Sequence, residues 1–168
     1  VAEGFSDSVS RFSYVEIFPP ELGEPGYTSY TPPVAFTDPL VQDKPWKDSD
    51  TNDDGEAVII GDQNGNLLIS DDGGDTWQDN AQQPDMTGFI WGSVAVSDDG
   101  QTMLAAQEYG NLFVSYDGGQ TWQNTTVGTA FEGLAWSAVD MNADGTRMVA
   151  VEFDGTAVVS DDGGQTWT

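Results

Sequence analysis

The sequence returns to itself every 45 residues without an insertion, and this period restricts the chain to an array of like units. Ser70-Asp71-Asp72-Gly73-Gly74-Asp75-Thr76-Trp77 recurs as Ser115-Tyr116-Asp117-Gly118-Gly119-Gln120-Thr121-Trp122 and as Ser160-Asp161-Asp162-Gly163-Gly164-Gln165-Thr166-Trp167. Trp46, Trp91 and Trp136 keep the same register, as do Gly55, Gly100 and Gly145, then Gly65, Gly110 and Gly155. A fixed period of this size marks repeated supersecondary units. It divides the chain into an arm over 1–45, units over 46–90 and 91–135, and a shorter third unit over 136–168.

Each unit reads as about four short antiparallel strands. In the middle copy, Trp91 to Ser97 alternates apolar with small residues and ends in the turn residues Asp98-Asp99-Gly100. Met103–Ala106 and Leu112–Val114 are short apolar runs closed by glycine-bearing turns, too short for helices. Thr121–Thr126 is rich in β-formers and follows the Ser115 segment directly. Trp46, Trp91 and Trp136 are expected just before the first strand of each unit, and their recurrence favours core packing over a ring of sugar-stacking aromatics. Four strands in about 45 residues, with an aromatic signature per unit, is the pattern of a β-propeller blade. The fold class is therefore all-β, with propeller-type blades. Closed propellers usually have four to eight blades, so this chain reads as an incomplete propeller, or as part of a larger or intermolecular assembly.

The pattern Ser-x-Asp-x-Gly-x-Thr-Trp resembles the Asp-box, or bacterial neuraminidase repeat. It is matched at Ser70/Asp72/Gly74/Thr76/Trp77, Ser115/Asp117/Gly119/Thr121/Trp122 and Ser160/Asp162/Gly164/Thr166/Trp167. The resemblance covers residues 46–168. It implies a hairpin between the third and fourth strands of a blade, as in sialidases, xyloglucanases, sortilin-type domains and photosystem II assembly factors. An Asp that accepts from the N–H groups of its own turn, glycines at positive φ and an aromatic anchor make the box a folding device, so its acids are expected to be structural.

Charge restricts the partners. Four Lys and Arg stand against 29 Asp and Glu, a net charge of −25. No basic stripe can follow a phosphate backbone, so nucleic acid is not an expected partner, and no apolar run reaches the length of a membrane span, so membrane insertion is not expected. Such acidity suits a saline, extracellular or cell-surface setting, and Val1 in place of an initiator Met points either to processing or to a partial sequence. Part of the charge is turn-forming Asp in a turn-rich repeat. Without cysteine the chain has neither disulfides nor thiolate metal sites.

Asp50-Thr51-Asn52-Asp53-Asp54-Gly55 and Asp140-Met141-Asn142-Ala143-Asp144-Gly145 both read Asp-x-Asn-x-Asp-Gly. Alternate oxygens before a glycine are how short calcium loops begin. Asp50, Asn52, Asp54, Asp140, Asn142 and Asp144 are thus candidate calcium ligands, with Asp48 as a further oxygen. The bidentate acid that closes an EF-hand loop is missing, and a plain β-turn also accounts for the pattern. Asn124-Thr125-Thr126 is a glycosylation sequon, which matters only in a secretory host.

Catalysis is not expected. Arg11 and Arg147 are the only arginines, whereas the resemblance to sialidases implies an arginine triad. A xyloglucanase-like site needs two carboxylates roughly 5–10 Å apart; Asp85, Glu108, Glu132 and Glu152 lie outside the boxes, but no motif pairs them. There is no histidine to act as a general base. Tyr109, Phe153 and Phe89 differ between copies and are the candidates for a contact surface.

Seven of the eight prolines lie within residues 1–45, a density that opposes a regular blade. Phe12–Phe18 is its one strand-like stretch, able to add to an open sheet edge. Together these features point to a non-catalytic binding or assembly module that meets a protein or glycan partner, or other copies of itself. The alternative is a portion of a propeller glycoside hydrolase whose catalytic residues lie outside this chain.

Overall fold

The computed structural model describes residues 39–41, 43–80, 86 and 88–168. The Phe12–Phe18 stretch, most of the proline-rich arm and Asp85 lie outside the described residues. Among those residues there is no helix, and eleven strands form antiparallel sheets. The first sheet is β1 (Trp46–Thr51), β2 (Val58–Asp62), β3 (Leu67–Ser70) and β4 (Gln78–Asp79), paired in chain order. The second is β5 (Ile90–Val96), β6 (Met103–Gly110), β7 (Leu112–Ser115) and β8 (Gln123–Asn124). The third comprises β9 (Leu134–Met141), β10 (Met148–Glu152) and β11 (Ala157–Ser160). Beyond β11, Thr168 exchanges two backbone hydrogen bonds with Val159, where a fourth strand would start.

These three groups of strands are called blades 1, 2 and 3. They stack face to face, with β1 against β5 and β5 against β9. Strand periodicity explains the stacking, since alternate residues point to opposite faces of a sheet. Ile59, Leu67 and Ile69 of blade 1 meet Trp91, Val94, Met103 and Phe113 of blade 2 in one apolar cluster. Leu104, Leu112 and Val114 of blade 2 meet Trp136, Val139, Met148 and Val158 of blade 3 in the next. Burying a side chain of this kind contributes about 1.5–3 kcal/mol, so the blade interfaces hold most of the core.

Two sequence expectations are corrected. The recurrent tryptophans lie inside the first strands, not before them, and Trp91 and Trp136 are buried. A β-bulge between Trp91 and Ser93 makes this possible, because it shifts the register and puts Trp91 on the same face as Val94. The fourth strand is also shorter than the run of β-formers over Thr121–Thr126. Its first residues belong to the preceding turn, where Thr121 is held by Asp117.

Candidate functional site

The Ser, Asp, Gly and Thr of the Asp-box make the same hydrogen bonds in all three blades. In blade 1, Ser70 Oγ donates to Asp72 Oδ1 at 2.8 Å and accepts from the Gly74 N–H at 2.8 Å. Thr76 donates its N–H to Asp72 Oδ1 at 2.8 Å and its hydroxyl to Oδ2 at 2.6 Å. Blades 2 and 3 repeat these bonds through Ser115, Asp117, Gly119 and Thr121, and through Ser160, Asp162, Gly164 and Thr166. The indole N–H groups of Trp77 and Trp122 close the loop onto the carbonyls of Gly74 and Gly119; Trp167 donates instead to Thr125 Oγ1. The Thr76 and Thr166 hydroxyls hold the carboxyls of Asp72 and Asp162 down at about 2. Burial pushes Asp117 up, but hydrogen bonds from Thr121 and Ser115 outweigh it and leave the carboxyl below its usual range. Such carboxylates are committed to the turn. Gly119 shows why glycine is required: its φ is +82°, and a Cβ there would overlap Ile69 Cδ1 of the preceding blade.

The candidate calcium ligands lie at the turns between the first and second strands of blades 1 and 3. Asp54 Oδ1 accepts from Glu56, and Asn52 bridges the Ala57 N–H and the Asp98 carbonyl of blade 2. Asn142 accepts from Arg147, and Asp144 accepts from Thr146. Asp48 and Asp50 reach the next blade instead. Asp48 Oδ2 accepts from Ser93 Oγ at 2.7 Å and the Val94 N–H at 3.0 Å, and Asp50 Oδ2 accepts from the Val96 N–H at 2.9 Å. Ser93 Oγ in turn accepts from the Val139 N–H at 3.1 Å. Burial, with the charges of Asp140 and Asp48 added, raises the Asp50 pKa above its usual range against the pull of the Val96 and Thr51 N–H donors. Among the described residues no three His, Cys, Asp or Glu side chains gather in metal-binding geometry. Asn124 lies in β8, where its side-chain oxygen accepts from the Thr126 and Val127 N–H groups.

The strand pattern of the repeat is broken where blades 2 and 3 meet, beside the β6–β7 turn. β6 runs eight residues, against five in β2 and β10, and its end pairs across the blade boundary, Glu108 with Ala135 and Gly110 with Leu134. Tyr109 carries the bend at φ +59°, an uncommon conformation for a residue with a Cβ. In blade 2 the Trp91 indole donates to the Gly65 carbonyl at 3.2 Å. The matching carbonyl one period on, Gly110, accepts from the Gly133 N–H at 2.9 Å, and the buried Trp136 Nε1 has no partner among the described residues.

A groove of about 230 Å³ opens at this junction, walled by Glu108, Tyr109, Trp136 and Phe153 and bordered by Lys47 and Ser137. Tyr109 is 69% exposed and Phe153 is 83% exposed. Lys47 of blade 1 pairs with Glu108 of blade 2 at 3.3 Å. The groove thus offers two aromatic planes, a cation and a carboxylate, a set suited to binding. Sequence comparison of the copies singles out Tyr109 and Phe153 because both differ from their counterparts. Lys47 and Glu108 were not legible as a pair, because their blades meet only in the fold.

Sheets of this strand order, stacked on their first strands, define a run of β-propeller blades. The particular repeat is the BNR/Asp-box repeat, whose family model matches residues 68–79, 113–124 and 158–168, one match in each blade. No curated protein matches it in sequence. Similar solved structures include YCF48 bound to D1 peptide, at 18% identity and TM-score 0.63, covering 74% of this chain and 40% of that one. YCF48 from Cyanidioschyzon merolae aligns at 20% identity and TM-score 0.60 over 77% of this chain and 38% of that one. The GH74 xyloglucanase from Xanthomonas campestris aligns at 23% identity and TM-score 0.55 over 71% of this chain and 18% of that one. The likeness is one of fold, and this chain spans about two fifths of the length of the YCF48 structures.

Proposed function

We propose that this chain is a non-catalytic binding and assembly module that holds a segment of a protein partner in the groove between blades 2 and 3. The observation that carries the reading is the pair of solvent-facing aromatics, Tyr109 and Phe153, set where the repeat departs from its own pattern. An exposed aromatic has no folding reason to sit beside a pocket, whereas aromatic anchors dominate protein recognition. The likeness to YCF48, one structure of which holds a peptide, supports a protein partner. The excess of acidic groups suits a partner with basic residues and an extracellular or cell-surface setting. Calcium at the Asp50 and Asp140 turns is proposed as an accessory to the fold, and a glycan is the other class of ligand that the aromatics could stack on.

Phage-displayed random 12-residue peptides selected on the chain test the reading. The expected result is a set of binders that lose at least tenfold in affinity on the Tyr109→Ala/Phe153→Ala variant. Binders indifferent to that variant, or a selection that enriches nothing, would sink it. The fold likeness to GH74 enzymes supports the hydrolase alternative, and release of oligosaccharides from xyloglucan by this chain would put that reading in its place.

A further inference from the structure

The groove between blades 2 and 3 holds three residues in one row across the sheet. Glu108, near the end of β6, pairs with Ala135 of β9, and on the other side of β9 the Phe153 N–H donates to the Ala135 carbonyl at 2.9 Å. Residues opposite one another on neighbouring strands project from the same face. Neighbouring strands lie about 4.8 Å apart, so the backbones that carry Glu108 and Phe153 stand about 9.6 Å apart with only the Ala135 methyl between them. The preceding copy has Ile90 in the place of Ala135. The row is therefore a slot with a half-buried methyl floor, a carboxylate on one side and a well-exposed ring on the other.

The Glu108 carboxylate is only half used. Lys47 reaches Oε2 at 3.3 Å, and Oε1 has no bond among the described residues. A carboxylate has lone pairs for several donors, so Oε1 can take another. An apolar segment laid over it would strip its water and give no donor back, which costs free energy. An acidic segment would meet a chain of net charge −25, in which Lys47 is the one cation lining the groove.

From this row we infer that the groove anchors its partner segment by an arginine, with the stem of that side chain on Ala135, the guanidinium plane on the Phe153 ring and its N–H groups on Glu108 Oε1. The inference rests on the reading of the groove as a site for a protein segment, and it names the residue that the segment must carry. A guanidinium suits the slot because it is flat, stacks on an aromatic face and presents several donors in its own plane. A lysine brings the same charge but no plane to stack. Tyr109, next to Glu108 and solvent-facing, supplies a second aromatic face to the same cation. Lys47 acts against the occupant, since it holds the other oxygen of the carboxylate and carries the same charge.

The probes are the displayed 12-residue peptides whose binding depends on Tyr109 and Phe153. They are expected to share an arginine whose replacement by citrulline, a neutral group of the same shape, weakens binding at least tenfold. Glu108→Gln should weaken the arginine peptide at least tenfold and leave the citrulline peptide within twofold. Lys47→Met, which keeps the stem, should tighten the arginine peptide at least twofold. Citrulline alters the peptide alone, so that comparison holds even where a variant of the chain is unstable. Binders that use both aromatics but share no arginine, or that tolerate citrulline, overturn the inference and leave the groove as a peptide site. So does an equal loss of both peptides on Glu108→Gln, or a weaker arginine peptide on Lys47→Met, which would make Lys47 the contact. Binders indifferent to the aromatics, or none at all, overturn the inference together with the reading it rests on.

Discussion

Three short bonds around one carboxylate give the Asp-box a pH signature. Thr76 and Ser70 hold Asp72 ionised down to about 2, and Thr166 and Ser160 do the same for Asp162. An unfolded Asp titrates near about 4. Folding stability from these groups is therefore complete above about pH 4 and is lost as pH falls from there towards about 2. Acidification also neutralises the excess negative charge, which acts in the opposite sense, so the comparison must be made against a variant. The urea midpoint, followed from pH 5 to pH 2, should fall more steeply in the native chain than in Asp72→Asn/Asp162→Asn, and equal slopes would refute the assignment. The box residues were legible because each has a chemical reason that sequence displays: a short acid, a hydroxyl four residues on, and glycines between. The interblade role of Asp48 and Asp50 was not legible, because acids before a glycine read equally well as a turn or as a metal loop. Only the stacking of β1 on β5 shows that their oxygens meet the Val94 and Val96 N–H groups.

At the level of strands and turns, the two buried tryptophans provide a matched pair. Trp91 donates its indole N–H to Gly65, whereas Trp136 keeps the same burial without a partner among the described residues. A hydrogen bond of this kind contributes about 1 kcal/mol net, and a buried donor left unpaired costs about 1–3 kcal/mol. Trp91→Phe should therefore destabilise the chain by at least about 1 kcal/mol more than Trp136→Phe in urea unfolding. An equal loss would mean that Trp136 has an acceptor after all. Strand number and the positions of the tight turns followed from apolar runs and glycines. The long β6 did not. Its last residues, Glu108-Tyr109-Gly110, read as the turn that closes Met103–Ala106, and they are held in the strand by β9, where Glu108 pairs with Ala135 and Gly110 with Leu134. Tyr109 at positive φ is equally silent, since a tyrosine gives no hint of a conformation usually left to glycine or asparagine.

Over the whole molecule, charge opposes compactness while stacked sheets supply it. At low ionic strength the unbalanced acids repel over about 30 Å, and at 1 M salt over only about 3 Å. Raising NaCl from about 10 mM to about 0.5 M should lift the melting temperature by several degrees, within the range spanned by those screening lengths. A flat or falling melting temperature would show that local hydrogen bonding, not net charge, governs the response. The sequence period revealed the array, and the single-sign composition revealed its electrostatics. The junction at which copies stop being alike was visible only once β6 and β9 were seen to pair. In blade 1, Asp48 and Asp50 bond to groups 46 residues ahead, and Ser93 does the same in blade 2, so a gain or loss of one whole period would leave these bonds able to re-form. Such an array can grow or shrink by duplication and deletion without refitting its interfaces. The join between blades 2 and 3 is the exception: with β6 tied into β9 and Tyr109 turned outwards, its halves can no longer be exchanged for their neighbours, and descent by copying has become commitment to one arrangement.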